Sequence, residues 1–214
     1  MNRFKTDSAL VLRTKHTGES NREAYFLTSS AGIIRAVVYG GPKSKLRSFV
    51  SLFHSGVLYL YHDPVRDSYK VTDFDVEVWR PGIRESYERT ITGAAIAETI
   101  LAGHGGGVSW REALVMANTS LNALEIADTT VTNRIFVHFL WKWAEILGVR
   151  PENSSEITLR HPGALQWLNK ADLLEPSMMI HHESDELSLR YAKKICTEIL
   201  TSALGRKLSG WTAL

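Results

Sequence analysis

A chain of 214 residues with 44% apolar and 22% charged residues can bury a sizeable core, and it fits one large domain or two small ones. The single cysteine, Cys196, excludes an intramolecular disulfide and a cysteine-rich zinc site, and it fits a reducing compartment. The net charge of +2 hides a split: residues 1–62 carry nine Lys/Arg against three Asp/Glu, and the remainder sixteen against twenty, which suggests two domains with different partners.

The N-terminus lacks a signal-peptide apolar core and carries Asp7, and no apolar stretch approaches the ~20 residues of a membrane span. A cytoplasmic protein without a membrane partner is the expectation. In chain order, Ala9–Thr14 reads as a first strand closed by Lys15-His16-Thr17-Gly18. Glu23–Thr28 is a second, and Ser29-Ser30-Ala31-Gly32 is a hairpin loop. The third run, Ile33–Tyr39, puts Ile34, Ala36 and Val38 on one face and Arg35 on the other.

A basic stretch follows. Behind Gly40-Gly41-Pro42, the cations Lys43, Lys45 and Arg47 alternate, and no acidic residue occurs between Glu23 and Asp63. Gly and Pro disfavour helix interior and central strand, so the spacing predicts an exposed loop. Its cations call for a polyanionic partner or simply face water. The phosphate-loop motif is excluded, because Pro42 and Val37 stand where that motif needs glycines.

Gly56–His62 is a fourth strand, and Tyr69–Trp79 a fifth in which Phe74, Val76 and Val78 alternate with Asp73, Asp75 and Glu77. Five short strands in about eighty residues favour a small closed or partly closed barrel, of which the OB-fold is the common form. Eleven of the twenty aromatics lie in residues 1–80, a modest sign of base stacking beside cations.

Trp79-Arg80-Pro81-Gly82 is a boundary, and the period then becomes helical. Helices are predicted over Arg84–Ala102, from Trp110 past Leu124 behind an N-cap at Ser109, and over Ile135–Leu147 behind Thr132 or Asn133. A short one near Pro162–Leu168 and a last one over Asp185–Leu204 complete the set, and the third, largely apolar, should be the centre. The expected architecture is α+β: an OB-fold over 1–80 that binds nucleic acid, then a helical domain over 81–214 that binds partners.

No enzyme signature emerges. Gly103–Gly107 follows a helix rather than a strand and reads as an interhelical loop. His161, His181, His182 and Glu183 lack the helical spacing of a metal site, and Cys196 falls on an apolar helix face. No cofactor and no metal are expected.

Several ordered blocks resemble the RecO family, bacterial recombination mediators of DNA repair. They are Ala9–Thr14, Gly18–Arg22, Leu27-Thr28, Gly32–Ile34, Val38–Gly40 and Pro42–Lys45, then Pro81–Glu85, Ile146–Pro151 and Leu204–Ser209. The resemblance implies an N-terminal OB-fold and a helical domain. It implies binding of single- and double-stranded DNA, strand annealing, and exchange of single-strand-binding protein for the recombinase. Expected partners are single-strand-binding protein and a RecR-type mediator. Carried over by residue, the DNA contacts are Arg13, Arg22, Arg35, Lys43, Lys45 and Arg47. Many family members hold zinc with four cysteines after the central helix, whereas Glu152–Leu168 here has none. A rival reading is an OB-fold interaction scaffold that docks an acidic partner tail.

Overall fold

The computed structural model describes residues 3–18, 20–41, 43–103, 109–152, 161–183 and 185–212. Five strands, β1 (Phe4–Thr17), β2 (Asn21–Thr28), β3 (Gly32–Val38), β4 (Ser55–Asp63) and β5 (Ser68–Val78), close a barrel in the order β1-β2-β3-β5-β4. This is an OB-fold barrel, and with the helices behind it the chain is α+β.

Closure depends on the length of β1. Its first half, Phe4–Leu10, pairs with β4, and its second half, Ala9–Thr17, pairs with β2. The two halves are joined at a bulge, where Leu12 is passed over between Val11 and Arg13. Bulges bend a strand and turn its side chains, which lets one strand serve two sheet edges. Val11 and Leu12 are both buried, while Arg13 emerges to solvent. The parallel β3–β5 contact is short, Ala36 to Tyr69 and Val37 to Lys70.

The inward positions fill the barrel with Val11, Phe26, Ile34, Ala36, Val38, Leu58, Leu60, Val71 and Phe74, and the Phe26 and Phe74 rings meet edge-on at 6.0 Å. The alternation in β5 survives intact, with Asp73, Asp75 and Glu77 exposed. Gly56 allows β4 and β5 to cross closely, since a Cβ there would lie 1.9 Å from the Asp75 carbonyl oxygen. At the β2–β3 turn, Asp7 accepts from Ser29 Oγ, Ser30 Oγ (2.6 Å) and Ser30 N (3.1 Å). Burial acts to raise the Asp7 carboxyl, but these hydrogen bonds outweigh it and hold the group below its usual value.

The basic stretch is not a loop throughout. Gly40 takes a φ of 129°, open to glycine, and the chain then forms a short helix, α1 (Lys45–Phe49). The helical turn rotates Arg47 inward while Lys43 and Lys45 stay exposed. Pro42 itself lies outside the described residues.

The helical elements are α2 (Pro81–Arg84), α3 (Tyr87–Ala102), α4 (Trp110–Ile126), α5 (Thr132–Ile146), α6 (Pro162–Asp172) and α7 (Glu186–Leu204). The chain divides into two compact units, Met1–Arg80 with Trp110–Leu114, and Pro81–Ser109 with Val115–Leu214.

Within the helical unit α5 is the centre. It packs against α3, α6 and α7, and Ile135, Phe136, Phe139, Leu140, Trp141 and Trp143 are buried. Two predicted boundaries move. The helix expected from Arg84 is broken, because Ser86 accepts from the Arg89 amide (3.3 Å) and restarts it at Tyr87. Before α5, Asp128 accepts from the Thr130 amide (3.0 Å) and caps a 3-10 turn over Thr129–Val131, so neither Thr132 nor Asn133 is the cap.

Across the segment after α5, Asp172 receives Arg150 through both guanidinium nitrogens (2.8 and 3.1 Å) and Lys142 Nζ (2.8 Å). Burial acts to raise the Asp172 carboxyl, but Lys142 and Arg150 hold it below its ordinary value. Residues 153–160, about half of the stretch without zinc-binding cysteines, lie outside the described residues, as do 104–107 of the predicted glycine loop. At the C-terminus Trp211 Nε1 donates to Thr99 Oγ1 (2.8 Å), and Glu98 accepts from Ser209 Oγ (3.0 Å) and Gly210 N (2.7 Å).

Candidate nucleic-acid interface

The sheet register brings two of the named cations, Arg13 and Arg35, into one row with Tyr25. Arg13 on β1 pairs with Tyr25 on β2, which pairs with Arg35 on β3. Tyr25 and Arg35 alternate with buried neighbours and Arg13 follows the bulge, so all three stand on the outer face of the barrel. The Arg13 guanidinium lies 5.9 Å from the Tyr25 ring centre, a cation–π distance. Arg13 owes its place to the bulge at Leu12: without it, plain alternation from Val11 would turn Arg13 into the core.

Glu23 tempers this row. It accepts from Tyr25 Oη (3.0 Å) and pairs with Arg35 Nε (3.4 Å), so Arg35 has the counter-ion that sequence distance concealed. The pair is on the surface and its ties are weak. An incoming phosphate can therefore compete for Arg35. The row offers two cations with an aromatic ring between them, the kinds of group that meet the phosphates and bases of a single strand.

Arg22 and Arg47 form a different group. Arg47 is 9% exposed, and its guanidinium reaches Ser20 O (3.3 Å) and His16 Nδ1 (3.2 Å). Arg22 Nη1 donates to the Arg47 carbonyl oxygen (3.3 Å). Burial, and then the Arg47 charge, push the Arg22 guanidinium below its ordinary value. The expectation of an exposed Arg47 is thus corrected: its side chain ties the β1–β2 turn to α1 and so positions the exposed Lys43 and Lys45. A strut inside a five-residue helix leaves no mark in a sequence of alternating cations.

The remaining candidates do not converge. His161 stacks on Tyr191 (3.9 Å), His182 lies beside Trp167 (5.7 Å), and among the described residues no group of three or more His, Cys, Asp or Glu could hold a metal ion. Cys196 is buried, and burial pushes its thiol well up. Among the described residues no helix is long and apolar enough to cross a membrane.

Residues 1–77 match the family described as "Recombination protein O N terminal", which is the barrel just built. The barrel is a RecO N-terminal domain. The match covers the OB-fold and stops before α2, so the helical unit lies outside it. No curated protein matches the chain. The outer face of this matched barrel carries the Arg13–Tyr25–Arg35 row.

Proposed function

We propose that the chain is a non-enzymatic, cytoplasmic recombination mediator. It binds single- and double-stranded DNA, anneals complementary strands, and helps the recombinase replace single-strand-binding protein. The observation that carries this reading is that the recombination-family match falls on a barrel displaying Arg13, Tyr25 and Arg35 in one row. The division into a DNA-binding barrel over 1–80 and a partner-binding helical domain over 81–214 belongs to the same proposal, with single-strand-binding protein and a RecR-type mediator as partners.

The mechanism is charge neutralisation. Arg13, Arg35, Lys43 and Lys45 are exposed cations that replace the counter-ions of phosphates, and their release drives binding. Two strands so neutralised repel each other less, and pairing is faster. Arg47 and Arg22 hold the turn and helix that present the lysines. A titration of labelled single-stranded oligonucleotide tests the reading. Salt-sensitive binding supports it. Absence of binding, with capture of an acidic peptide instead, would favour the scaffold, and cleavage of the oligonucleotide in Mg²⁺ would contradict the non-enzymatic assignment.

A further inference from the structure

A second outward row lies on another flank of the barrel, across β1, β4, β5 and the end of β3. Phe4 pairs with Tyr61, and Tyr61 pairs with Lys70. The Phe4 and Tyr61 rings meet edge-on at 5.5 Å. Lys70 pairs with Val37 on β3, and its ammonium lies 4.9 Å from the ring centre of Tyr39, just past the end of that strand. Phe4 is 63% exposed and Tyr39 46% exposed. Two large aromatic rings on the surface of a small barrel are not part of its core. Between them sits Lys70, an exposed cation.

Charge limits the stripe on one side. Tyr59, the next outward residue of β4, pairs with Asp73 and donates to Asp75 Oδ2 (3.1 Å). A phosphate chain is repelled there and is directed from Phe4 and Tyr61 towards Lys70 and Tyr39. β3 then links the two rows, because Arg35 and Val37 share its outer face and Tyr39 directly follows its last residue.

We infer that Phe4, Tyr61, Lys70 and Tyr39 form a base-stacking extension of the DNA surface, specific for single strands. The inference rests on the DNA-binding function proposed above and names a part of the surface that function does not require. The aromatic rings offer faces to unstacked bases, and Lys70 offers its charge to the phosphate between them. A duplex keeps its bases stacked inside and can use only the cation.

The test is a full-length double variant, Phe4→Ala with Tyr39→Ala, titrated with an oligothymidine and with a duplex of equal length. Loss of even one stacked base weakens single-strand binding by about 5-fold to 100-fold, and duplex affinity should stay within about 2-fold. A Tyr39→Phe variant, which keeps the ring, should bind like the wild type. Circular dichroism checks that the barrel is intact; if the double variant unfolds, Phe4→Ala and Tyr39→Ala are read singly. Unchanged single-strand affinity in a folded variant overturns the inference and leaves the function standing. An equal fall for both forms also overturns it, since that is the mark of lost charge. A wild type that binds neither form would contradict the proposed function itself.

Discussion

Changing Arg13, Arg35, Lys43 and Lys45 together to Ala removes the exposed cations assigned to phosphate and leaves the buried strut in place. Each phosphate neutralised on a single strand contributes roughly 0.7 to the slope of log affinity against log salt, so four contacts contribute about 2.8. At that slope these residues account for about a seven-fold loss of affinity with each doubling of salt. The variant should therefore bind more weakly at low salt and respond less to added salt, with the slope shallower by up to about 2.8. The loss should be nearly equal across DNA sequences, because phosphate contacts carry no base information. Folding should be little affected. All four side chains are exposed, and such substitutions usually shift stability by about ±0.5 kcal/mol. Among the described residues, the ion pair broken is Arg35 with Glu23, whose arginine is exposed. Fluorescence anisotropy at several salt concentrations, with circular dichroism as a control, reads the result. An unchanged slope in a folded variant would refute the placement of phosphate on this face.

The other predictions separate structure from binding. Arg47→Ala strips Ser20 O and His16 Nδ1 of their donor, so it should cost about 1–3 kcal/mol in denaturant unfolding, and the salt slope of DNA binding should fall by no more than the roughly 1.4 carried by the two lysines it positions. Gly56→Ala forces a Cβ onto the Asp75 carbonyl oxygen and should cost at least about 2 kcal/mol or prevent barrel closure, seen as lost β signal in circular dichroism. Asp172 has a folded pKa below its unfolded value, so its contribution is present at neutral pH and is lost as pH falls below about 4. Melting temperatures of wild type and Asp172→Asn should accordingly differ at pH 7 and converge in acid.

The barrel was legible because its strands alternate cleanly. Asp73, Asp75 and Glu77 against Phe74, Val76 and Val78 leave one possible face for the core. The central helix was legible for the opposite reason, since apolar residues surround it. What sequence could not reveal was geometry set by pairing. The bulge at Leu12 decides that Arg13 faces water, and no local residue signals it. Glu23 is twelve residues from Arg35 in sequence, yet the hairpin makes them partners. Arg47 looked like the cations beside it, and only the turn of α1 sends it inward. Ser86 restarts a helix that the apolar period alone would have carried through. Phe4, Tyr39, Tyr61 and Lys70 lie far apart in the chain, and closure of the barrel brings them into one row.

In the function proposed above, DNA strands held on the barrel pair even when another protein covers them. The direct measurement is the annealing rate of complementary oligonucleotides coated with single-strand-binding protein, with and without this chain. Annealing should be faster with the wild type and close to the uncatalysed rate with the Arg13, Arg35, Lys43, Lys45 variant. Annealing that is no faster with the wild type, under salt conditions where it binds both strands, would contradict the claim.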